Sequence, residues 1–460
     1  MWFASGIVMM YVPYPRLTER ERIALLPDID AAQVRVSPED ALRGAGATRF
    51  PDALRLGMSA GEPVFHMADG AARRTVSARD GRLIAGFAPA DALAVVRGLR
   101  VDAARARVDT LARDQWTVAQ GFDTHRPLHK VVVDDEAGSE LYVSSRTGEI
   151  VQETTRSERF WNWLGAVPHW LYLTGLRQDA DLWRQVVLWT SGPATLGAVA
   201  GLCVGILRLR PRRRYRDARM SPYAGWMKWH HVAGIAAGLF VTTWLASGWL
   251  SVNPLRLFSR AVTPPDRLRA YAGQDAPILP IATTSVAEMA RSGVRELRFA
   301  WVGGRPLAVA TDAAFGQRVL DAATGRPADL PPDVLAAAAR RLIPDGRVVE
   351  TTLLTAEDFY WYSHHFERRL PVLRVIFADP AQTWIHLDPA SGEVLGRTDR
   401  SGRAYHWLFN GLHDFDLAVL LRRRPAWDVL VWLLSLGGLI VSVSGVVIGW
   451  RRLGRRFAGR

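Results

Sequence analysis

Cysteine is nearly missing from this chain: among 460 residues there is one, Cys203, inside an apolar run. A single thiol excludes an internal disulfide framework, covalent haem attachment through CxxCH, and zinc sites built on cysteine. Segments of more than a hundred residues can still bury a core without disulfides. Nucleotide and hydrolase signatures are also lacking. There is no P-loop, GxGxxG, HExxH or GxSxG with its partners, so nucleotide binding and hydrolysis have no support. The opening stretch MWFASGIVMMYVPYP has no basic n-region and no small-residue cleavage site, which argues against a signal peptide.

What is abundant is apolar surface, and it is concentrated. Apolar residues make up 49% of the chain, yet the mean hydropathy is 0.00. Three runs, Trp183–Leu207, Trp226–Val252 and Trp427–Trp450, are long and apolar enough to cross a hydrocarbon core about 30 Å thick. The chain therefore reads as an integral membrane protein, with the lipid bilayer as its first partner. The net charge of +13 then reports topology rather than nucleic-acid binding. Arginine-rich stretches sit tight against span ends at Arg208–Met220 and Arg451–Arg460, which places both in the cytoplasm and the long segments between spans on the other side.

That orientation requires a crossing before Arg16, for which MWFASGIVMMYVPYP is too short. It matches the end of the Trp226–Val252 span: Trp2, Ala4, Ser5 and Gly6 correspond to Trp244, Ala246, Ser247 and Gly248. It reads as the outer half of a first span whose beginning lies upstream. The expected division is 1–15 (that half-span), 16–158 (outer domain 1), 159–182 (aromatic interfacial helix) and 183–207 (span 2), followed by 208–224 (basic loop) and 225–252 (span 3). Then come 253–402 (outer domain 2), 403–425 (second interfacial helix), 426–450 (span 4) and 451–460 (tail).

Spacing shows that the two halves are copies. ELYVSSRTGEI (140–150) and TWIHLDPASGEVL (383–395) are both strand–turn–strand patterns with a turn Gly. His169 follows Gly148 by 21 positions and His413 follows Gly392 by 21. Trp163 and Trp407 each lie 15 beyond that Gly, and Asp114 and Asp358 each lie 34 before it. Weaker echoes at 76–84 and 319–327 suggest two small units per outer segment, each a helix with an antiparallel meander. Ser37 before Pro38 marks one helix start. The fold class expected is an α-helical transmembrane bundle, three full spans plus the truncated one, carrying two α+β domains of antiparallel sheet.

RFWNWLGAVPHWLY (159–172), SPYAGWMKWHHVAG (221–234), DFYWYSHHFERRLPVLRV (358–375) and YHWLFNGLHDFDL (405–417) together resemble the PepSY-associated transmembrane-helix family. Its members are bacterial inner-membrane proteins with periplasmic PepSY domains, among them haem-containing ferric-siderophore reductases. The resemblance implies periplasmic outer domains, one or two non-covalent b-type haems, and electron transfer to a ferric siderophore or similar chelate.

The residues themselves bear on haem, apart from the resemblance. A b-type haem wants two axial imidazoles held on opposite sides of an apolar slot, and ionisable residues in spans tend to be functional. His169 and His413 occupy equivalent repeat positions on aromatic segments, which points to one shared ligand role. His230 and His231 stand at the cytoplasmic entry of the third span. The family carries a His-Arg pair there, so His230 is the ligand candidate and His231 matches the Arg. Trp163, Trp170, Trp407 and Phe409 are candidate slot walls. A structural role is favoured for His125 and His129. His66, His386 and His406 carry no site assignment, and His364 and His365, read as strand neighbours, would face opposite ways. The competing reading is a non-enzymatic membrane-anchored PepSY module that binds peptides or a partner protein.

Overall fold

A computed structural model describes residues 1–460 apart from Arg100, Arg213, Arg214, Arg216, Asp217, Arg260, Ala261, Ser292, His365, Gly459 and Arg460. The helices that frame the site are, in chain order, α1 (Trp2–Met9), α2 (Arg156–Leu164), α3 (Ala166–Trp170), α4 (Ala180–Arg208), α5 (Gly225–Ser251), α6 (Arg400–His406) and α7 (Ala426–Ala458). Among the described residues, α4, α5 and α7 are the helices long and apolar enough to cross a membrane. This is a membrane protein that also carries antiparallel sheets.

The span helices form a layer in which α5 packs against both α4 and α7, and the short α1 packs on α7 and α3. Glycines permit the close approaches. A methyl group at Gly437 would come within 3.0 Å of Ala237, and one at Gly438 would overlap the Phe3 ring. Phe3 in turn stacks on Trp244, with ring centres 5.6 Å apart. Small residues at such crossings are what van der Waals packing between apolar helices requires.

Among the described residues, fifteen strands form three antiparallel sheets. β1 (Ala53–Ser59), β2 (Glu62–Asp69), β3 (Ala72–Ser77) and β4 (Leu83–Ile84) come from the first segment. β5 (Arg107–Leu111), β6 (Leu128–Val132), β7 (Glu140–Ser144) and β8 (Ile150–Thr154) complete it as a four-stranded meander. From the second segment, β9 (Val294–Val302), β10 (Arg305–Asp312) and β11 (Gln317–Asp321) precede a matching meander, β12 (Val348–Leu354), β13 (Val372–Phe377), β14 (Trp384–Leu387) and β15 (Val394–Thr398). The turn glycines Gly148 and Gly392 both adopt positive φ, at 71° and 69°. A side chain at either would also strike its neighbours, Phe87 and Ser59 in the first copy and Val302 in the second.

The first units of the two segments do not stay apart. β1 pairs with β9, opposing Leu54 to Phe299 and Leu56 to Leu297, so one seven-stranded sheet runs β11-β10-β9-β1-β2-β3-β4. Leu54, Leu56, Phe65, Leu297 and Phe299 are all buried in its shared core. Burying each side chain of this size contributes about 1.5–3 kcal/mol, which favours fusion over two separate small sheets. Ion pairs cross the same seam, Arg22–Glu296 at 2.7 Å and Arg55–Glu296 at 3.3 Å, and Arg55 also holds Glu149 of its own segment at 2.6 Å.

The aromatic segments, read as one interfacial helix each, are broken. Gly165 leaves helical geometry between α2 and α3, and Leu171 ends α3 in the left-handed region. In the second copy α6 runs on into a π-helical turn, Trp407–Asp414, closed by left-handed Phe415. After each break the same lock recurs. The indole of Trp183 donates to the Trp170 carbonyl at 2.8 Å, and that of Trp427 donates to the Asp414 carbonyl at 3.0 Å.

Candidate functional site

The broken segments bring His169 and His413 face to face. Their ring centres lie 6.2 Å apart and their planes are 81° from parallel. His169 is the fourth residue of the five-residue α3, and His413 lies in the π-helical turn. Phe409 stacks on His413 at 5.1 Å and 19°, and Trp244 lies 6.2 Å from it.

Each ring rests on a Ser-Gly dipeptide of a neighbouring helix. The Ser5 hydroxyl is 3.1 Å from Nδ1 of His169, and the Ser247 hydroxyl is 3.0 Å from Nδ1 of His413. Ser5 donates its own proton to the carbonyls of Met1 or Trp2, and Ser247 donates to Trp244. Both hydroxyls therefore accept from the imidazoles, so Nδ1 carries the hydrogen and Nε2 carries the lone pair. That is the tautomer of a histidine poised to ligate through Nε2, with its other nitrogen oriented by an outer partner. The following glycine gives the ring its space: a Cβ at Gly6 would lie 3.4 Å from Cε1 of His169, and one at Gly248 would lie 3.5 Å from Cε1 of His413.

His230 has the same seat at the other end of α5. Its Nδ1 is 2.9 Å from the Ser444 hydroxyl, Ser444 donates to Ile440 or Val441, and a Cβ at Gly445 would lie 3.4 Å from Cε1. His231 differs. Its Nε2 donates to the Gly205 carbonyl at 2.8 Å and its Nδ1 meets Ser221 at 2.8 Å, so both nitrogens are engaged in holding α5 to α4 and its connecting loop.

The other histidines belong to the framework. His129 bridges the Phe87 carbonyl (2.8 Å) and Thr110 (2.8 Å) inside a sheet. His386 stacks on Trp361 and accepts from Nε of Arg374 at 2.9 Å; burial, with Arg374 beside it, pushes its pKa down to about 3. His66 is buried near Glu149 and Thr75. His406 lies among Tyr360, Tyr362 and Trp407. His364 is in irregular structure rather than on a strand, and its Nδ1 is 2.6 Å from buried Asp416, to which Tyr362 also donates at 2.7 Å. His365 lies outside the described residues. Of the expected slot walls, Phe409 touches the histidine pair, while Trp163 packs on Trp116, Trp407 on Tyr360, and Trp170 on Tyr14 and Tyr172.

No protein-family model matches the chain, and no curated protein matches it.

Sequence reasoning missed the serine–glycine seats. The signal was present, since Ser-Gly recurs at 5–6, 247–248 and 444–445. A small dipeptide in a span reads first as helix packing. Its pairing with a histidine more than 160 residues away becomes visible only once the helices are placed.

Proposed function

We propose that this chain is a transmembrane electron carrier of the bacterial inner membrane, similar to the PepSY-associated family, holding a b-type haem between His169 and His413. The sheets lie in the periplasm and the arginine-rich segments in the cytoplasm. The acceptor is a ferric chelate or siderophore on the periplasmic side. The observation that carries this reading is the doubled seat, two facing imidazoles each fixed in the ligating tautomer by the same Ser-Gly device.

The donor set supports haem over a bare ion. Among the described residues no group of three or more His, Cys, Asp or Glu is placed to hold a metal. Two imidazoles alone suit a metal that brings its own equatorial ligands, as haem iron does. With ring centres 6.2 Å apart, His169 and His413 would hold such a group between them.

A haem bound there supplies one-electron transfer. The protein contributes orientation and dryness: Ser5 and Ser247 hold the two rings, while Phe409 and Trp244 shield His413 from water. His230 on Ser444 is the proposed ligand of a second haem, and His231 holds the helix rather than the metal. The visible spectrum of purified protein tests the proposal. A low-spin haem signature lost in both His169→Ala and His413→Ala agrees with it, and colourless, fully inserted protein contradicts it.

A second reading, a membrane-anchored module binding a peptide or partner protein, draws on one observation. A cavity of about 190 Å³ lies at the seam, lined by Leu26, Met58, Val95 and Leu99 above Arg22 and Glu149. Binding of periplasmic peptides by colourless protein would favour it.

A further inference from the structure

A second cavity, of about 370 Å³, lies where α4 begins and α5 ends, lined by Trp183, Arg184, Asn253, Phe258, Arg397 and Tyr405 among others. Ring contacts and one indole bond link it to the histidine pair. On one side Tyr405 stacks on Phe409 at 5.4 Å and 27°, and Phe409 stacks on His413 at 5.1 Å. On the other, Trp183 is bonded to the carbonyl of Trp170, the residue after His169.

Both guanidiniums in this cavity keep donors unspent. Arg184 gives Nε to the Val252 carbonyl (3.1 Å) and Nη2 to that of Asn253 (2.9 Å), so it caps α5 and keeps Nη1. Arg397 reaches the Val262 carbonyl at 3.4 Å through Nη1 and keeps Nη2. Two guanidiniums with donors left over on one cavity favour an anion there, through charge-assisted hydrogen bonds. Asp399 does not line the cavity; it accepts from the Ser259 hydroxyl and the Gly402 amide.

The repeat sharpens the point. The position 244 residues after Trp183 is Trp427, which makes the same indole bond, but the position after Arg184 is Asp428. The counterpart of Arg397, 244 residues earlier, is Glu153. The aromatic frame is kept and the charge reversed. A site with two equal edges would accept a planar group either way round, whereas opposite charges at the two edges select one orientation for a group with anions along one edge.

We infer that Arg184 and Arg397 receive the two carboxylates of the haem held by His169 and His413, and so fix its orientation. This rests on the haem reading of the pair. Arginine forks match carboxylates with charge-assisted hydrogen bonds, stronger than neutral ones.

The test is a Soret titration of detergent-purified apoprotein with iron protoporphyrin IX and with its dimethyl ester. Wild type should take the diacid about tenfold more tightly or better, the scale of one charge-assisted contact. Arg397→Gln and Arg184→Gln should lose that preference while keeping the low-spin spectrum. Because Arg184 also caps a helix, Arg397→Gln, which gives up only a long 3.4 Å bond to the Val262 carbonyl, carries the decision. An undiminished preference in Arg397→Gln overturns the inference and leaves the haem reading standing. Failure of wild type to bind either porphyrin overturns the haem reading itself. Repeating the titration in nanodiscs separates a lipid phosphate: a difference between wild type and variant seen only with phosphatidylglycerol present assigns the arginines to lipid and overturns the inference.

Discussion

The hydroxyl of Ser247 lies 3.0 Å from Nδ1 of His413, and its proton is spent on the Trp244 carbonyl. The serine therefore acts as an acceptor, and the imidazole's tautomer is fixed from outside. Removing it should weaken cofactor retention without removing a ligand. Ser247→Ala is expected to lose haem about 10-fold more readily, the usual effect of deleting a partner behind a metal ligand, with a low-spin spectrum still present. Haem transfer to apomyoglobin measures this, and unchanged retention would show that the hydroxyl is idle.

Packing of α1 on α7 depends on Gly438, where a methyl group would overlap the Phe3 ring. Gly438→Val should displace Phe3 from its stack on Trp244 and destabilise the helix layer by about 1–3 kcal/mol, the usual cost of overpacking. The drop in thermal unfolding midpoint should exceed that of Gly454→Val, a glycine on the same helix with nothing within 4 Å of its Cβ position. Equal drops would refute the contact.

Acid should loosen the first outer segment beside the seam. Burial alone would raise the Glu149 carboxyl, but Arg55, with His66 and Arg22 behind it, holds it well below the usual carboxylate range. Burial depresses the His66 pKa, against an opposing pull from Glu149. Both groups have folded pKa values below their unfolded ones, so the unfolded state binds more protons and stability rises with pH. The His66 contribution is full above about pH 6.5 and falls below it, and the Glu149 contribution is lost only below about pH 4.3. Glu149→Gln should remove the steeper acid limb and cost about 1–2 kcal/mol at neutral pH, less than the loss of a sole partner because Arg55 keeps Glu296. Denaturant midpoints followed from pH 7.5 to 3.5 check this, and a flat profile in wild type would contradict it.

Two kinds of feature differ in how far they can be read without coordinates. Apolar runs and the offset between Gly148–His169 and Gly392–His413 are properties of one stretch of chain, so the span helices and the candidate pair were legible. The pairing of β1 with β9 depends on strands about 240 residues apart, and each edge satisfies the same alternation pattern alone or joined. The breaks at Gly165 and Phe415 were hidden for another reason: the aromatic runs look helical, and only tertiary placement forces the left-handed turns. His364 with Asp416 was hidden because 52 residues and a sheet separate them.

Orientation follows from the arginine-rich loop and tail. A reporter active only in the periplasm should be silent after Arg212 or at the C-terminus, and active when inserted near Asp69 or Asp329. The reverse pattern would invert the topology and the direction of electron flow.

The facing pair is the centre of the account, and a reduced-minus-oxidised visible spectrum of the purified protein, taken alongside His169→Ala, His413→Ala and His129→Ala, tests it most directly. The account predicts a low-spin b-type haem spectrum in wild type, loss of the contribution of the haem between His169 and His413 in each of the first two variants, and an undiminished spectrum in His129→Ala, whose histidine is buried in a sheet. A low-spin spectrum unchanged in both His169→Ala and His413→Ala would contradict it.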